Sequence, residues 1–372
     1  MLNDFFETWK NVNHVIALSN DWKRLVFYSE GPWITKHLSP LIKELVDNRN
    51  IKVTFLTSSK DDNFYVENNK NVKKIYIGDK SARTYLFRKL SVNTMVMSTP
   101  SLQSMQLKRE RNSKYFYVHH SPMSTHMIYE ENAFDNFDGI FCVGPYQIKE
   151  TREREEKYSL KKKRLFESGY CNFDELLTNK KILKNDEILI ASSWGKNSIV
   201  NTCLNELISK LISLNCKVTL RPHNMSFKND KKKLNNAINN FKEKDNFKLD
   251  LNPDSIESIN NSKLLITDWS GIAFEYYVIN NKPILFVDTP PKINNKNYTK
   301  LSEKPLEITM REEIGEILNI NEIKKLDKNS LQEKITLASK KANESEKFIS
   351  KNFYNLGRSV NVICDQIEEL IN

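Results

Sequence analysis

Leu264-Leu-Ile-Thr-Asp-Trp-Ser-Gly-Ile-Ala-Phe-Glu-Tyr-Tyr277, followed closely by Lys282-Pro-Ile-Leu-Phe-Val287, is the stretch whose reading decides the fold. Leu264-Leu-Ile266 is a short apolar run of the kind found in buried strands. Thr267, Asp268, Ser270 and Gly271 break it, and 272–279 then reads as a helix. Pro283 resets the chain, and 284–287 is a second apolar strand. Strand, tight turn, helix and strand make one unit of a parallel sheet. Ligands of such sheets sit beyond the carboxyl ends of the strands, where this chain carries Asp268-Trp-Ser-Gly271. Ser270 is expected to cap the helix, and the N–H groups behind it either end there or hold an anion such as phosphate. Glu275, about one turn further on, is placed to reach the hydroxyls of a ribose.

Outward from this unit the same grammar repeats. Strands are expected at 24–29, 53–57, 72–77, 94–97, 115–118 and 140–143, with helices between them at 33–46 and 85–90. A second series runs through a strand at 188–191, a helix at 199–214, a strand at 218–220 and a helix at 231–241. Alternation of this kind argues an α/β chain of two doubly wound parallel-sheet domains with a cleft between them. The expected division is 1–171, a polar connection at 172–186, a second domain at 187–356, and a last amphipathic helix in 357–372. Residues 294–304 read as a surface loop.

Three further loops after strands hold unusual residues. His119-His-Ser-Pro-Met-Ser-Thr-His126 contains half of the chain's 6 histidines. Histidine exchanges protons near neutral pH, and Ser121, Ser124 and Thr125 suit a polyhydroxyl or phosphate substrate. The alternatives are histidines satisfied by backbone contacts and a metal site, and for the latter no acidic partner completes a ligand pattern. Arg221-Pro-His-Asn224 places two phosphate donors at a strand end, or is an exposed loop that happens to carry two cations. Ser192-Ser-Trp-Gly195 lines the same end of the sheet, with Trp194 either facing ligand or packing.

The chain has 372 residues, 39% hydrophobic and 28% charged, which is compatible with two globular domains. No run is apolar and long enough to cross a bilayer. The 5 cysteines show no paired metal spacing and are expected to be reduced. A net charge of +10 favours polyanionic partners, but no nucleic-acid-binding signature accompanies it. The expected location is cytoplasmic, on the anionic inner face of a membrane, with Lys161-Lys-Lys-Arg164 as a candidate contact. The loops of ATPases, NAD enzymes and serine hydrolases are missing from the sequence.

Taken together, the loops resemble the CDP-glycerol glycerophosphotransferase family of teichoic-acid and capsule synthesis. Its pattern is a His-Gly-Thr-Pro loop, an Arg-Pro-His loop and a Thr/Ser-Asp-Tyr-Ser-Ser turn. Here these are His119-His-Ser-Pro122, Arg221-Pro-His223 and Thr267-Asp-Trp-Ser-Gly271, and Gly357-Arg-Ser359 is similar to the family's closing motif. The departures are His120 for Gly, Trp269 for Tyr and Gly271 for Ser. The resemblance implies a GT-B-type fold and transfer of glycerol phosphate, or a related alditol phosphate, from a CDP-alditol to a polysaccharide or polyprenyl-linked acceptor, with release of CMP. It implies no cofactor and no obligatory metal. His119 would be the general base and His223 a second catalytic group. Arg221, Thr267, Asp268, Ser270, Gly271, Glu275 and Trp194 would bind donor, and His120, Ser121 and Ser124 acceptor. Two rivals share these features: a GT-B glycosyltransferase or epimerase using a UDP- or CMP-sugar, and a non-catalytic polyanion-binding protein.

Overall fold

The computed structural model describes residues 2–62, 69–181, 186–252 and 254–372. The chain divides into two compact units. The first is Met1–Glu175, Asn295–Glu303 and Phe353–Asn372; the second is Leu176–Asn294 and Lys304–Asn352.

The first unit is built on seven parallel strands: β1 (Leu25–Ser29), β2 (Val53–Thr57), β3 (Val72–Tyr76), β4 (Thr94–Met97), β5 (Lys114–Val118), β6 (Gly139–Cys142) and β7 (Arg164–Glu167). They lie in the order β3-β2-β1-β4-β5-β6-β7. The second unit has six: β8 (Glu187–Ala191), β9 (Lys217–Arg221), β10 (Phe247–Leu249), β11 (Ser262–Thr267), β12 (Ile284–Val287) and β13 (Glu316–Leu318), in the order β10-β9-β8-β11-β12-β13. Both sheets reverse their winding at one point, between β1 and β4 and between β8 and β11. At such a point the loops of neighbouring strands diverge and leave room for a ligand.

The central strands are apolar on both faces because helices cover both. Every residue of β1, β2, β4 and β12 is buried. Full burial of one such Leu, Ile or Phe contributes about 1.5–3 kcal/mol. The edges differ. In β3, β7, β10 and β13 only part of each strand is buried. Of these, β7, β10 and β13 carry no apolar run in the sequence and were not expected from it.

Three other expectations change. The polar connection at 172–186 opens instead with the helix Cys171–Thr178, because Phe173 and Leu176, three apart, both find buried sites. Residues 182–185 of that connection lie outside the described residues. The helix at 199–214 is two, Ile199–Thr202 and Leu204–Ser213, divided where Cys203 leaves helical geometry at φ −146°. The surface loop at 294–304 is partly inside: Asn295 is buried, its N–H donates to the Met127 carbonyl (3.1 Å) and its side chain to that of His126 (2.9 Å). Those bonds attach the loop to the first unit.

The chain's end is also stitched to this unit. Ile363, Cys364, Ile367 and Ile371 of the helix Ser359–Ile371 join the core formed by Leu38, Leu41 and Phe55. Tyr354 N donates to the Val143 carbonyl (2.9 Å), the Asn355 side chain to that of Glu167 (2.8 Å), and Val360 N to the Asp174 carboxylate (2.8 Å). Gly169 lies directly against this segment. Its φ is +99°, and a Cβ there would lie 2.6 Å from the Tyr354 carbonyl and press on Ser359 Oγ. Gly169→Ala is expected to cost on the order of 2–5 kcal/mol, from backbone strain and overpacking together. Urea unfolding of the variant checks this, and a midpoint equal to wild type would mean the 353–359 segment is not held here.

Candidate active site

At the carboxyl edge of the second sheet, the opening motif divides into residues that build and residues that are presented. Thr267 is fully buried, and its hydroxyl donates to the Ala191 carbonyl at 2.5 Å, across the reversal point. Asp268 is likewise fully buried. One oxygen accepts from Ser193 N (2.6 Å) and the other from Ile199 N, the first residue of the next helix (2.9 Å). Burial raises its carboxyl above the usual range, and those donors oppose the rise. Both side chains are thus engaged inside the protein, where they join the two strand ends. Trp269 donates through Nε1 to the Thr289 carbonyl (3.0 Å) and lies under the Arg311 guanidinium, 4.2 Å from its ring. Arg311, buried, also donates to the carbonyls of Val287 (3.0 Å) and Asp268 (3.4 Å).

Ser270 and Gly271 are the two members left half-exposed. Ser270 does not cap the following helix Ile272–Asn280: Gly271 is its N-cap and makes no side-chain cap bond. The Ser270 and Gly271 carbonyls accept from Ala273 N (3.2 Å) and Phe274 N (3.1 Å), and among the described residues no acceptor engages the amides of Gly271 and Ile272. Glu275 is buried beside the Ser255 hydroxyl, which donates to it at 3.3 Å.

The neighbouring loops sort in the same way. Arg221 is committed to Asp250 (2.6 Å), whose carboxyl is lowered despite burial by Ser258, Asn252 and Arg221 itself. Its charge is therefore offset within the protein. His223 accepts from Met225 N at Nδ1 (3.1 Å), which puts the neutral ring's proton on Nε2. Trp194 is half-exposed with its ring 6.3 Å from that of His223. On Trp194 rests Lys292, a residue the sequence reading missed, with Nζ 4.0 Å from the ring centre. Burial lowers its ammonium to about 8, against the pull of Asp268 and Asp230. Both carboxylates are occupied, Asp230 by Gly195 N (3.0 Å) and Asn201 (2.6 Å). Among the described residues no carboxylate pairs with Lys292. Its only signal in the sequence is position: a lone lysine a few residues past a strand end.

At the carboxyl edge of the first sheet, the loop after β5 is mostly sealed. His119 is 2% exposed, and Ser124, Thr125 and His126 are also buried. Thr125 donates through N–H (2.7 Å) and hydroxyl (2.8 Å) to Glu150, which lies 3.4 Å from His126 Nδ1. Ser124, expected at an acceptor site, is fully buried. Of this loop, His120, Ser121 and Ile128 just beyond it stay half-exposed. Burial lowers His119 to about 3 and His120 to about 4, so both rings are neutral at neutral pH.

The basic run 161–164 does not form one patch. Lys163 is buried against Glu155, and Arg164 pairs with Glu369 at 3.0 Å, which leaves Lys161 and Lys162 outward. Among the described residues no helix is long and apolar enough to cross a membrane, and no group of three His, Cys, Asp or Glu is placed to hold a metal.

The model of one protein family, CDP-Glycerol:Poly(glycerophosphate) glycerophosphotransferase, matches residues 11–345. Among solved structures the fold is similar to that of the wall teichoic acid polymerase TagF, with a TM-score of 0.62 at 15% identity over 100% of this chain and 98% of that one. It is also similar to a glycosyltransferase from Rickettsia africae (TM-score 0.55, 11% identity, 94% and 98% covered). A UDP-GlcNAc 2-epimerase from Methanocaldococcus jannaschii, in complex with UDP-GlcNAc and UDP, follows at 0.53, 12% identity, 93% and 99% covered. At such identities these likenesses concern the fold. No curated protein matches the chain in sequence. With a family model running through both parallel sheets and all three motif loops, the chain belongs to the CDP-glycerol:poly(glycerophosphate) glycerophosphotransferase family.

Proposed function

We propose that this chain transfers glycerol phosphate from CDP-glycerol to a hydroxyl of a teichoic-acid-type polymer and releases CMP. The observation that carries the reading is the set presented at the reversal point of the second sheet: the Gly271 and Ile272 amides, Trp194 and the unpaired Lys292. An acceptor oxygen attacks the glycerol-bearing phosphorus. The bond from that phosphorus to the bridging oxygen breaks, and CMP leaves with the electron pair. Amides at a helix start and a nearby cation offset the charge that gathers on the leaving phosphate. His223, as an Nε2–H donor, adds a hydrogen bond, and Glu275 takes the ribose. Arg221 acts at one remove by holding its loop to Asp250, and Lys292 takes the place it was expected to fill.

Release of CMP from CDP-glycerol, and not of UDP from UDP-sugars, is the outcome that distinguishes this reading from a sugar-nucleotide enzyme. A protein that turns over UDP-GlcNAc but no CDP-alditol would refute it. Lys292→Ala should raise KM for CDP-glycerol roughly 10–100-fold, as loss of a charge-assisted contact does. A lowered lysine pKa means the cation is present below about 8 and lost above it. In wild type kcat/KM for donor should therefore fall as pH rises through 8, and in Lys292→Ala that limb should be absent.

A polyprenyl-linked acceptor and attachment to an anionic membrane face belong to the same proposal. The support is the net charge of +10, together with Phe5 and Phe6, which are 53% and 66% exposed on the helix Leu2–Ala17. Charge attracts the chain to anionic lipid, and exposed rings hold it there. Sedimentation with phosphatidylglycerol vesicles should be strong at low salt and weaker in Phe5→Ser/Phe6→Ser. Equal recovery with neutral vesicles would exclude the electrostatic part.

A further inference from the structure

The loop after β5 holds two adjacent histidines whose rings are wired in opposite senses. Gln147, fully buried, sets the first. Its carbonyl oxygen accepts from Val143 N (2.7 Å) and its amide nitrogen donates to the Met123 carbonyl (2.9 Å), so the amide cannot be turned over. That same nitrogen is the group facing His119 Nδ1, at 3.5 Å. A donor facing Nδ1 places the proton of the neutral imidazole on Nε2. His119 Nε2 is buried and has no partner among the described residues. Such a ring offers a proton and has no accessible lone pair with which to take one.

His120 is wired the other way. Its Nδ1 lies 2.9 Å from the Ser98 carbonyl, which can only accept, so Nδ1 carries the proton and Nε2 the lone pair. The Tyr117 hydroxyl sits at the same nitrogen, also at 2.9 Å. The backbone is held too: the Tyr170 hydroxyl donates to the His120 carbonyl at 3.0 Å, and Tyr170 stacks on His37, whose ring centre is 6.2 Å from that of His120. His120 is half-exposed, and no hydrogen bond engages its Nε2 among the described residues. Carbonyl to Nδ1–H with a free Nε2 is the arrangement a general base requires. The family pattern has glycine at this position. Here the backbone does not require one, since His120 is not among the residues with positive φ.

We propose that His120, and not His119, is the general base of this chain, taking the acceptor's proton on Nε2 while His119 positions the loop. The assignment rests on the transfer reaction proposed above. As the acceptor O–H bond breaks, its oxygen forms the bond to phosphorus and the proton passes to Nε2. The resulting imidazolium returns that proton to water after CMP has left.

Two measurements on the full chain test this. In nitrogen-15 spectra of the histidine-labelled protein, His120 should show the Nδ1–H tautomer and His119 the Nε2–H tautomer. The reverse pattern would overturn the assignment whatever the activity. In kinetics, His120→Gly should lower CMP release ~10²–10⁴-fold at saturating CDP-glycerol and acceptor, leave donor binding unchanged, and recover turnover when imidazole is added. A purely structural loss would not be recovered that way. Near-normal turnover in His120→Gly with a loss confined to His119→Gln would return the base to His119. Expected tautomers in a wild type that releases no CMP from any CDP-alditol would instead overturn the transfer reading, and the role of His120 with it.

Discussion

Much of the second unit depends on one carboxylate. Asp268 is a carboxyl group with no exposed surface, tied to the amides of Ser193 and Ile199. Taking a carboxylate out of water costs several kcal/mol, and each hydrogen bond to a charged group contributes roughly 1.5–3 kcal/mol in return. Burial raises this carboxyl and the backbone donors oppose the rise. What it fixes is position. The loop after β8 and the turn after β11 diverge at the reversal point, and Asp268 is the group that spans them. Thr267 and Arg311 complete the brace, one on the Ala191 carbonyl and the other on those of Val287 and Asp268. With both strand ends held, Ser270 and Gly271 are turned outward without side-chain support of their own.

The motif letters therefore carry two kinds of information that a sequence mixes. Thr267 and Asp268 looked like ligand groups because polar residues at a strand end usually are. Which polar residues face a ligand is decided by whether backbone donors on neighbouring strands claim them first, and those donors are far away in the chain: Ser193 and Ile199 lie 75 and 69 residues from Asp268. Arg221 shows the same effect through Asp250, and Ser124 through simple burial. Lys292 shows the converse. It belongs to no motif, and only the ring of Trp194 beneath it marks it as an unpaired cation at the site.

Central strands were legible because burial on both faces demands an unbroken apolar run, as in Ile284-Leu-Phe-Val287 and Leu25-Val-Phe-Tyr-Ser29. Three of the four edge strands, β7, β10 and β13, were not, because one side of each faces water. Arg164-Leu-Phe-Glu167 and Phe247-Lys-Leu249 hold too few apolar residues to stand out from loop. The attachment of Asn295–Glu303 to the first unit was hidden for a related reason. It is made by a buried asparagine and backbone bonds, and hydrophobic patterning does not register polar contacts.

The two histidines after β5 show how much chemistry a scaffold assigns through its backbone. As residue types His119 and His120 are identical, and burial keeps both neutral. Their difference lies in what faces Nδ1. For one ring it is the amide of Gln147, for the other the carbonyl of Ser98. The Ser98 carbonyl follows β4, next to β5 in the sheet, and strands that run parallel bring their carboxyl ends to one edge. A histidine two residues past β5 that reaches across to that edge meets an acceptor, and its outer nitrogen is left with the lone pair. A histidine that turns inward toward the helix Pro145–Lys157 meets whatever side chain the helix supplies, here a donor. In this loop, which nitrogen keeps the lone pair follows from the direction in which a ring leaves the sheet.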